Sequence, residues 1–441
     1  MQLFTIIEFF FFIFIAYKIL KERSQEKTFY IYVYGCLVLY PATHLISGIP
    51  HPTVVLPIMC VIRAWMDGRI KEEWKEFPLK TLLAIMVVYH FFHPLLASLM
   101  SYSESLKLEL FELSQTFIVL FGGYLLAPVV FDEDKLKRHI YIISVILIVT
   151  GILCWVSKSN FISAAFSSTG DSYYSSDAVE TERGFRATGT QFSPNVYGNA
   201  LVLCVLLIYH YFKNAVLKYV AIGFLLLCIV FTASRAPFFV LIVGFFLYSF
   251  FQRISKLIGS VLVVMLVVIL FGGQLKNNEY IGRYVGGITD LVLTGGEYTA
   301  GSSSDLRERQ WLITLFYWKE APVWGHGEGY TMQLVNETGL FNNLKNDDLA
   351  GAEGYQYITL IDYGITYTLI ALLFFVWLLC YFYKFLKYDI TKESAILGLT
   401  FTICLFVFLL SSRPNQIWQI YFPFVGLYLK NIVHKNRIYN F

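Results

Sequence analysis

Apolar runs of about twenty residues, separated by short polar breaks, recur along almost the whole chain, and about twenty residues is the length a helix needs to cross hydrocarbon. They fall at about 3–19, 29–48, 52–66, 80–99, 115–131, 139–157, 195–212, 217–233, 236–251, 256–272, 358–382, 394–411 and 416–430. The runs are continuously apolar and lack the alternation of a lipid-facing strand, which excludes a barrel. The pattern predicts an all-α integral membrane protein, a polytopic bundle of about 12 or 13 transmembrane helices. The third run is short, holds Arg63, and is the one expected to be re-entrant. The layout that follows has N-terminal helices over 1–157, a first polar loop over 158–194 and central helices over 195–272. A large polar loop then fills 273–357, and C-terminal helices with a basic tail fill 358–441.

Composition agrees with this plan: 57% of residues are hydrophobic and 15% charged, against about 25% charged in a soluble domain. The net charge of +3 matters less than where the charges fall. Lys21 and Arg23, Arg69, Lys71 and Lys75, and Lys135, Lys137 and Arg138 all lie on one side of the predicted bundle. Lys213 and Lys218, Arg253 and Lys256, Lys384 and Lys387, and the tail Lys430, Lys435 and Arg437 join them. The positive-inside rule makes that side cytoplasmic, and no nucleic-acid partner is expected of these residues. Positive charge follows the first apolar run instead of preceding it, so that run reads as a retained span and not as a cleaved signal. All seven cysteines fall inside apolar runs, where no disulfide is expected.

The opposite, outer side receives the two long polar loops, and polar connections of this length between spans usually carry function. In the larger, Asp305 with Glu308 makes a capping box. Trp311, Leu312, Leu315, Phe316 and Trp318 follow as an apolar stripe of helical period. Short helices are therefore expected in this loop, lying on the bundle or on the membrane surface. Arg307 stands four residues before Trp311 and shares its face, whereas Arg309 projects elsewhere.

Two further arginines map to the same side. Arg186 precedes Gly189 and the stretch Ser193-Pro194-Asn195, where Ser193 suits a helix cap and Pro194 a first turn. Arg235 sits in Thr232-Ala-Ser-Arg-Ala-Pro237, a break of almost no length between two apolar runs. Each arginine reads either as an anion ligand or as an interfacial charge, since guanidinium at a membrane boundary is costly unless it meets water or a partner. Glu353 and Asp362 place two carboxylates where the chain re-enters the membrane; each reads as a base for a sugar hydroxyl, or as a wet loop residue and a bundle counter-ion respectively. Arg413 adds either a fourth cation or a loop charge. His90 and His93 are spaced i, i+3 in an aromatic run with no carboxylate or cysteine beside them, so no metal site is expected. His326 reads as a turn residue. No Gly-rich nucleotide loop is present, which argues against direct use of ATP.

In this order, Arg186-x-x-Gly189, Ser193-Pro194-Asn195-x-x-Gly198, Ser234-Arg235-Ala236, Arg307-x-x-x-Trp311, Pro322-x-x-Gly325-x-Gly327 and the segment from Glu353 to Gly364 resemble the O-antigen polymerase and O-antigen ligase family of bacterial membrane glycosyltransferases. The likeness covers about 180–385. It implies a GT-C-like bundle in the inner membrane with its active site facing the periplasm, no cofactor and no metal. The implied donor and acceptor are undecaprenyl-diphosphate-linked oligosaccharides, with membrane lipid around them and a chain-length regulator as a further partner. By resemblance Arg235 and Arg307 hold the diphosphate, with Arg186 near. Ligase-like members carry a His-Asn or His-Ser pair where this chain has Glu353-Gly354, so the resemblance favours a polymerase over a ligase. A lipid-linked oligosaccharide flippase is the alternative from another class, and it would call for paired repeats and charges near the midplane.

Overall fold

The computed structural model describes residues 2–38, 52–97, 102–129, 132–162, 185–191, 193–252, 304–336, 340–341, 344–345, 354–411 and 417–439. Its helices, in chain order, are α1 (Gln2–Lys21), α2 (Gln25–Leu37), α3 (Pro52–Met66), α4 (Ile70–Glu76), α5 (Lys80–Leu96), α6 (Tyr102–Gln115), α7 (Phe117–Leu126) and α8 (Glu133–Ser157). There follow α9 (Pro194–Tyr211), α10 (Ala215–Phe231), α11 (Arg235–Gln252), α12 (Ser304–Glu320), α13 (Tyr330–Asn336), α14 (Tyr355–Phe385), α15 (Asp389–Ser411) and α16 (Ile417–Tyr439). Among the described residues every expected apolar run overlaps a helix; 256–272 and the second half of 29–48 lie outside them. The protein is an all-α polytopic membrane protein. Among the described residues four helices are by themselves long and apolar enough to span, and the count reaches six if each of two bent pairs is one span.

Those bent pairs refine the sequence reading. The expected run at 115–131 is only the second half of an element: polar α6 precedes α7, and the two are bent by 46°. α6 escapes a hydropathy reading because it carries Glu104, Lys107, Glu109 and Glu112. Glu109 and Glu112 are nevertheless buried, facing partners on other helices. α4 meets α5 at 110°. It is held by an ion pair from Lys430 of α16 to Glu73, both buried.

Two helices form the middle of the bundle. α16 is buried on all sides from Ile417 to Lys430, and α9 from Pro194 to Ile208, as expected of helices surrounded by other helices. α16 packs on α7, α15, α9 and α2, while α9 packs on α8, α10 and α11. All seven cysteines are unpaired.

In the large polar loop α12 and α13 are the expected short helices, followed by a two-stranded antiparallel ribbon, Leu340–Phe341 with Leu344–Lys345. The packed face of α12 differs from the apolar stripe in the sequence. Gln310, Ile313 and Thr314 are buried, and Ile313 packs on Leu334 and Ile361. Trp311 and Leu312 turn outward, 40% and 48% exposed. The bundle selects the face that fits α14, and Thr314 enters it because its hydroxyl bonds back to the Gln310 carbonyl at 2.8 Å.

Candidate active site at the end of the bundle opposite the basic loops

Three turns meet at this end. The first closes α8: Lys158 takes a left-handed conformation, φ 51°, and donates its backbone N–H to the helix's last carbonyls. Two residues later Asn160 is fully buried. The second is the extended run 185–188, and the third is the break between α10 and α11, where Ala233 is also left-handed, φ 46°. These are the two non-glycine residues with positive φ among the described residues. Such conformations cost about 1–2 kcal/mol each and persist where the surroundings fix them.

Backbone and amide groups stitch the turns together. Asn160 donates Nδ2–H to the Arg186 carbonyl at 3.0 Å and accepts from the Thr188 N–H at 3.0 Å. Ala187 N–H donates to the Phe231 carbonyl at 2.9 Å. Arg186 is 8% exposed and donates Nε–H to the Thr232 carbonyl at 3.2 Å. That bond orients the guanidinium across the turn that leads into Arg235. Trp155 stacks on Phe231 with centroids 4.6 Å apart, and the Lys158 ammonium lies 3.4 Å from the Trp155 centroid. Partial burial there holds the Lys158 pKa below that of an ordinary lysine.

The helix starts beside these turns are built as their residues dictate. Ser193 caps α9, accepting from the Asn195 N–H at 3.3 Å, and Pro194 occupies the first turn. Ser234 Oγ donates to Asn195 Oδ1, joining the α9 and α11 starts. Gly198 is required by close approach: a Cβ there would lie 2.5 Å from the Pro237 ring. The N-termini of α9 and α11 thus open onto one region together with Arg186 and Arg235, and helix N-termini favour anions.

A second constellation lies where the large loop meets α14. α14 is broken at Gly364, φ 68° and ψ −167°. The run 321–327 fills the break. Ile365 N–H donates to the Pro322 carbonyl at 2.9 Å and Thr366 Oγ1 to the Val323 carbonyl at 2.8 Å. His326 N–H donates to the Ile361 carbonyl at 3.0 Å and Gly327 N–H to the Asp362 carbonyl at 2.9 Å. Gly325 and Gly364 are both left-handed, and a Cβ on Gly364 would lie 2.6 Å from the Gly325 nitrogen. His326 does more than turn the chain: its Nε2 donates to the Tyr317 carbonyl at 2.9 Å and its ring stacks on Tyr330. Asp362 is fully buried, with Oδ1 accepting from the Thr331 N–H at 2.8 Å and the Thr331 hydroxyl at 2.5 Å.

Residues 220–358 match the family model described as O-antigen ligase. That segment runs through the α10–α11 turn, the α11 start, α12 and the loop filling the α14 break. Over that segment the chain is similar to the O-antigen polymerase and ligase family. No curated protein matches it.

The match supports a coarse activity, the handling of O-antigen glycan by a membrane enzyme. Within the family domain and its flank, the fold joins the Arg186 run to the Arg235 turn. Asp362 belongs to the second constellation. Arg307 falls in the first turn of α12, where the described structure fixes its backbone alone. Glu353 and Arg413 lie outside the described residues. Lys158 and Asn160 were not singled out by sequence reasoning. A lysine and an asparagine after an apolar run look like ordinary solvated helix-end residues, and only the cap geometry and the contact with Arg186 distinguish them. The same holds for Glu109, which supplies the carboxylate that the sequence around His90 and His93 lacks; among the described residues no His, Cys, Asp or Glu group is arranged to hold a metal ion.

Proposed function

We propose that the chain is a member of the O-antigen polymerase and ligase family and that it is a polymerase. It joins undecaprenyl-diphosphate-linked repeat units into a surface polysaccharide at the periplasmic face of the bacterial inner membrane. The observation that carries the reading is the Arg186–Thr232 bond, which ties a buried guanidinium to the turn bearing Arg235. Two arginine motifs far apart in sequence thereby share one region with two helix N-termini.

In this reading an acceptor sugar hydroxyl attacks the anomeric carbon of the donor glycan. The new glycosidic C–O bond forms as the bond to the lipid diphosphate breaks, with inversion. The bonding pair leaves with the diphosphate, whose growing charge meets Arg186, Arg235 and Arg307, with Arg413 as a further cation. The hydroxyl proton passes to a carboxylate, Glu353 or Asp362. Guanidinium forks suit phosphate oxygens, and removing one preorganised donor typically costs about 10²–10³ in rate. Glu353 in the position where ligase-like members carry histidine favours polymerisation over transfer to lipid A core.

The test is complementation of a deletion strain, read on a polysaccharide gel. Arg235→Ala or Arg307→Ala is expected to abolish long chains while the protein stays in the membrane; normal chain length in both overturns the site. Loss of a polymerase leaves core plus one repeat unit. Bare core with polymerised lipid-linked chains accumulating would make the chain a ligase, and bare core with single lipid-linked units stalled on the cytoplasmic side would make it a flippase.

A further inference from the structure

α5 and α6 form a hairpin with an ionisable centre. His90, His93 and Glu109 are each 0% exposed, and each histidine takes one carboxylate oxygen: His90 Nδ1 lies 2.5 Å from Oε2, and His93 Nδ1 2.5 Å from Oε1. His93 Nε2 lies 2.6 Å from the Trp324 carbonyl, in the loop that fills the α14 break. A carbonyl only accepts, so Nε2 of His93 carries a proton. One carboxyl can lend at most one proton, so at least one imidazole donates from Nδ1. If both do, three protons satisfy all three contacts and the cluster has no net charge, which makes it tolerable inside a bundle.

The same hairpin reaches the loop-return segment twice more. The Tyr89 hydroxyl donates to the Tyr363 carbonyl at 3.0 Å, immediately before the Gly364 break. The Tyr355 hydroxyl donates to Glu112 at 3.4 Å, where α14 begins. Tyr89 stacks on His93, and Tyr363 lies 5.1 Å from the same ring. A buried ionic cluster is weak evidence for stability, because apolar packing of the same shape does as well or better. Its contacts go to the loop and to both ends of the α14 entry, which is a reason to keep it.

We propose that Glu109 and His93 are positioning residues for the glycan-transfer reaction. They clamp the loop between α12 and α14, and so fix the placement of the α12 backbone and of Asp362. The clamp acts by hydrogen-bond geometry, not by charge or proton transfer. It rests on the functional reading above, and one variant separates the two possibilities. In Glu109→Gln the amide N–H donates to His93 Nδ1, the amide oxygen accepts from His90 Nδ1–H, and His93 Nε2–H still reaches Trp324. Every contact is kept in neutral form.

The experiment uses the full chain in membranes, measuring kcat and KM for lipid-linked repeat units and trypsin cleavage of the outer loop in spheroplasts. Glu109→Gln is expected to keep kcat and protease resistance. His93→Phe and Glu109→Leu are expected to lose about 10²-fold in kcat, the cost of a misplacement of about 1 Å, with KM little changed and the loop cleaved faster. Tyr89→Phe, which removes one hydroxyl without changing shape, lowers kcat with KM unchanged and carries the test if the larger changes prevent accumulation. An inactive but protease-resistant Glu109→Gln would overturn the proposal by giving Glu109 a charge or proton role. So would wild-type kcat in Tyr89→Phe and His93→Phe. Full activity in Arg235→Ala defeats the functional reading instead, and the protease result then still reports whether the clamp exists.

Discussion

Gly364→Ala isolates the contribution of the broken helix. At φ 68° and ψ −167° the residue occupies a region that is essentially reserved for glycine, and an alanine there costs about 1–3 kcal/mol. Its Cβ would also lie 2.6 Å from both the Gly325 nitrogen and the Val323 carbonyl oxygen, backbone atoms with no room to retreat. Relief requires the 321–327 run to lift, breaking the bonds from Ile365 N–H to Pro322 and from Thr366 to Val323. Each such bond contributes about 0.5–1.5 kcal/mol. Together the terms amount to about 2–6 kcal/mol against the docked loop, or about 10–10⁴ in the docking equilibrium. None of this touches the α9 or α16 core, so the protein should remain in the membrane and keep its thermal transition in detergent. The polysaccharide ladder should collapse, and trypsin should cleave the outer loop readily in spheroplasts. A wild-type ladder with wild-type protease resistance would refute the reasoning, because it would show that the loop does not depend on the break.

Two further outcomes follow from packing. Asn160→Ala leaves the Arg186 carbonyl and the Thr188 N–H without their side-chain partner, and unsatisfied buried groups cost about 1–3 kcal/mol each; the expected result is shortened chains with a lowered thermal transition, and unchanged chain length would mean that Asn160 does not hold Arg186. Lys430→Met leaves Glu73 with only the longer ion pair to Arg69, 3.5 Å from Oε1, a loss of up to about 3–5 kcal/mol. Adding Glu73→Gln should restore most of the detergent thermal stability, and a double variant no more stable than the single one would disprove that the pair acts as a unit.

Much of this protein was legible because the membrane imposes a simple rule. A span must be about twenty apolar residues with its backbone satisfied internally, so hydropathy and loop charge alone locate α1, α8, α9, α10, α11, α14, α15 and α16 within a few residues. The Ser193 cap, Pro194 in the first turn and the short break before Arg235 were likewise local matters of backbone chemistry, readable from residue type. Residues whose roles depend on a distant partner were not readable. α6 looked like part of a loop because its carboxylates are polar; burial is allowed only because histidines from α5 meet Glu109. The apolar stripe of α12 pointed to one face, whereas the space left by α14 and α13 received another.

Sequence by itself determined the class of molecule, the side of the membrane expected for the arginines, and which short motifs deserved chemical weight. Those are properties of single segments in a solvent of known polarity. Tertiary structure alone decided that Arg186 is tied to the Arg235 turn, that Pro322 to Gly327 fills a broken helix, and that Asp362 is fastened to Thr331. The physical reason is that a hydrogen bond between segments tens to hundreds of residues apart leaves no mark in either segment, and it forms only when packing elsewhere brings donor and acceptor within about 3 Å.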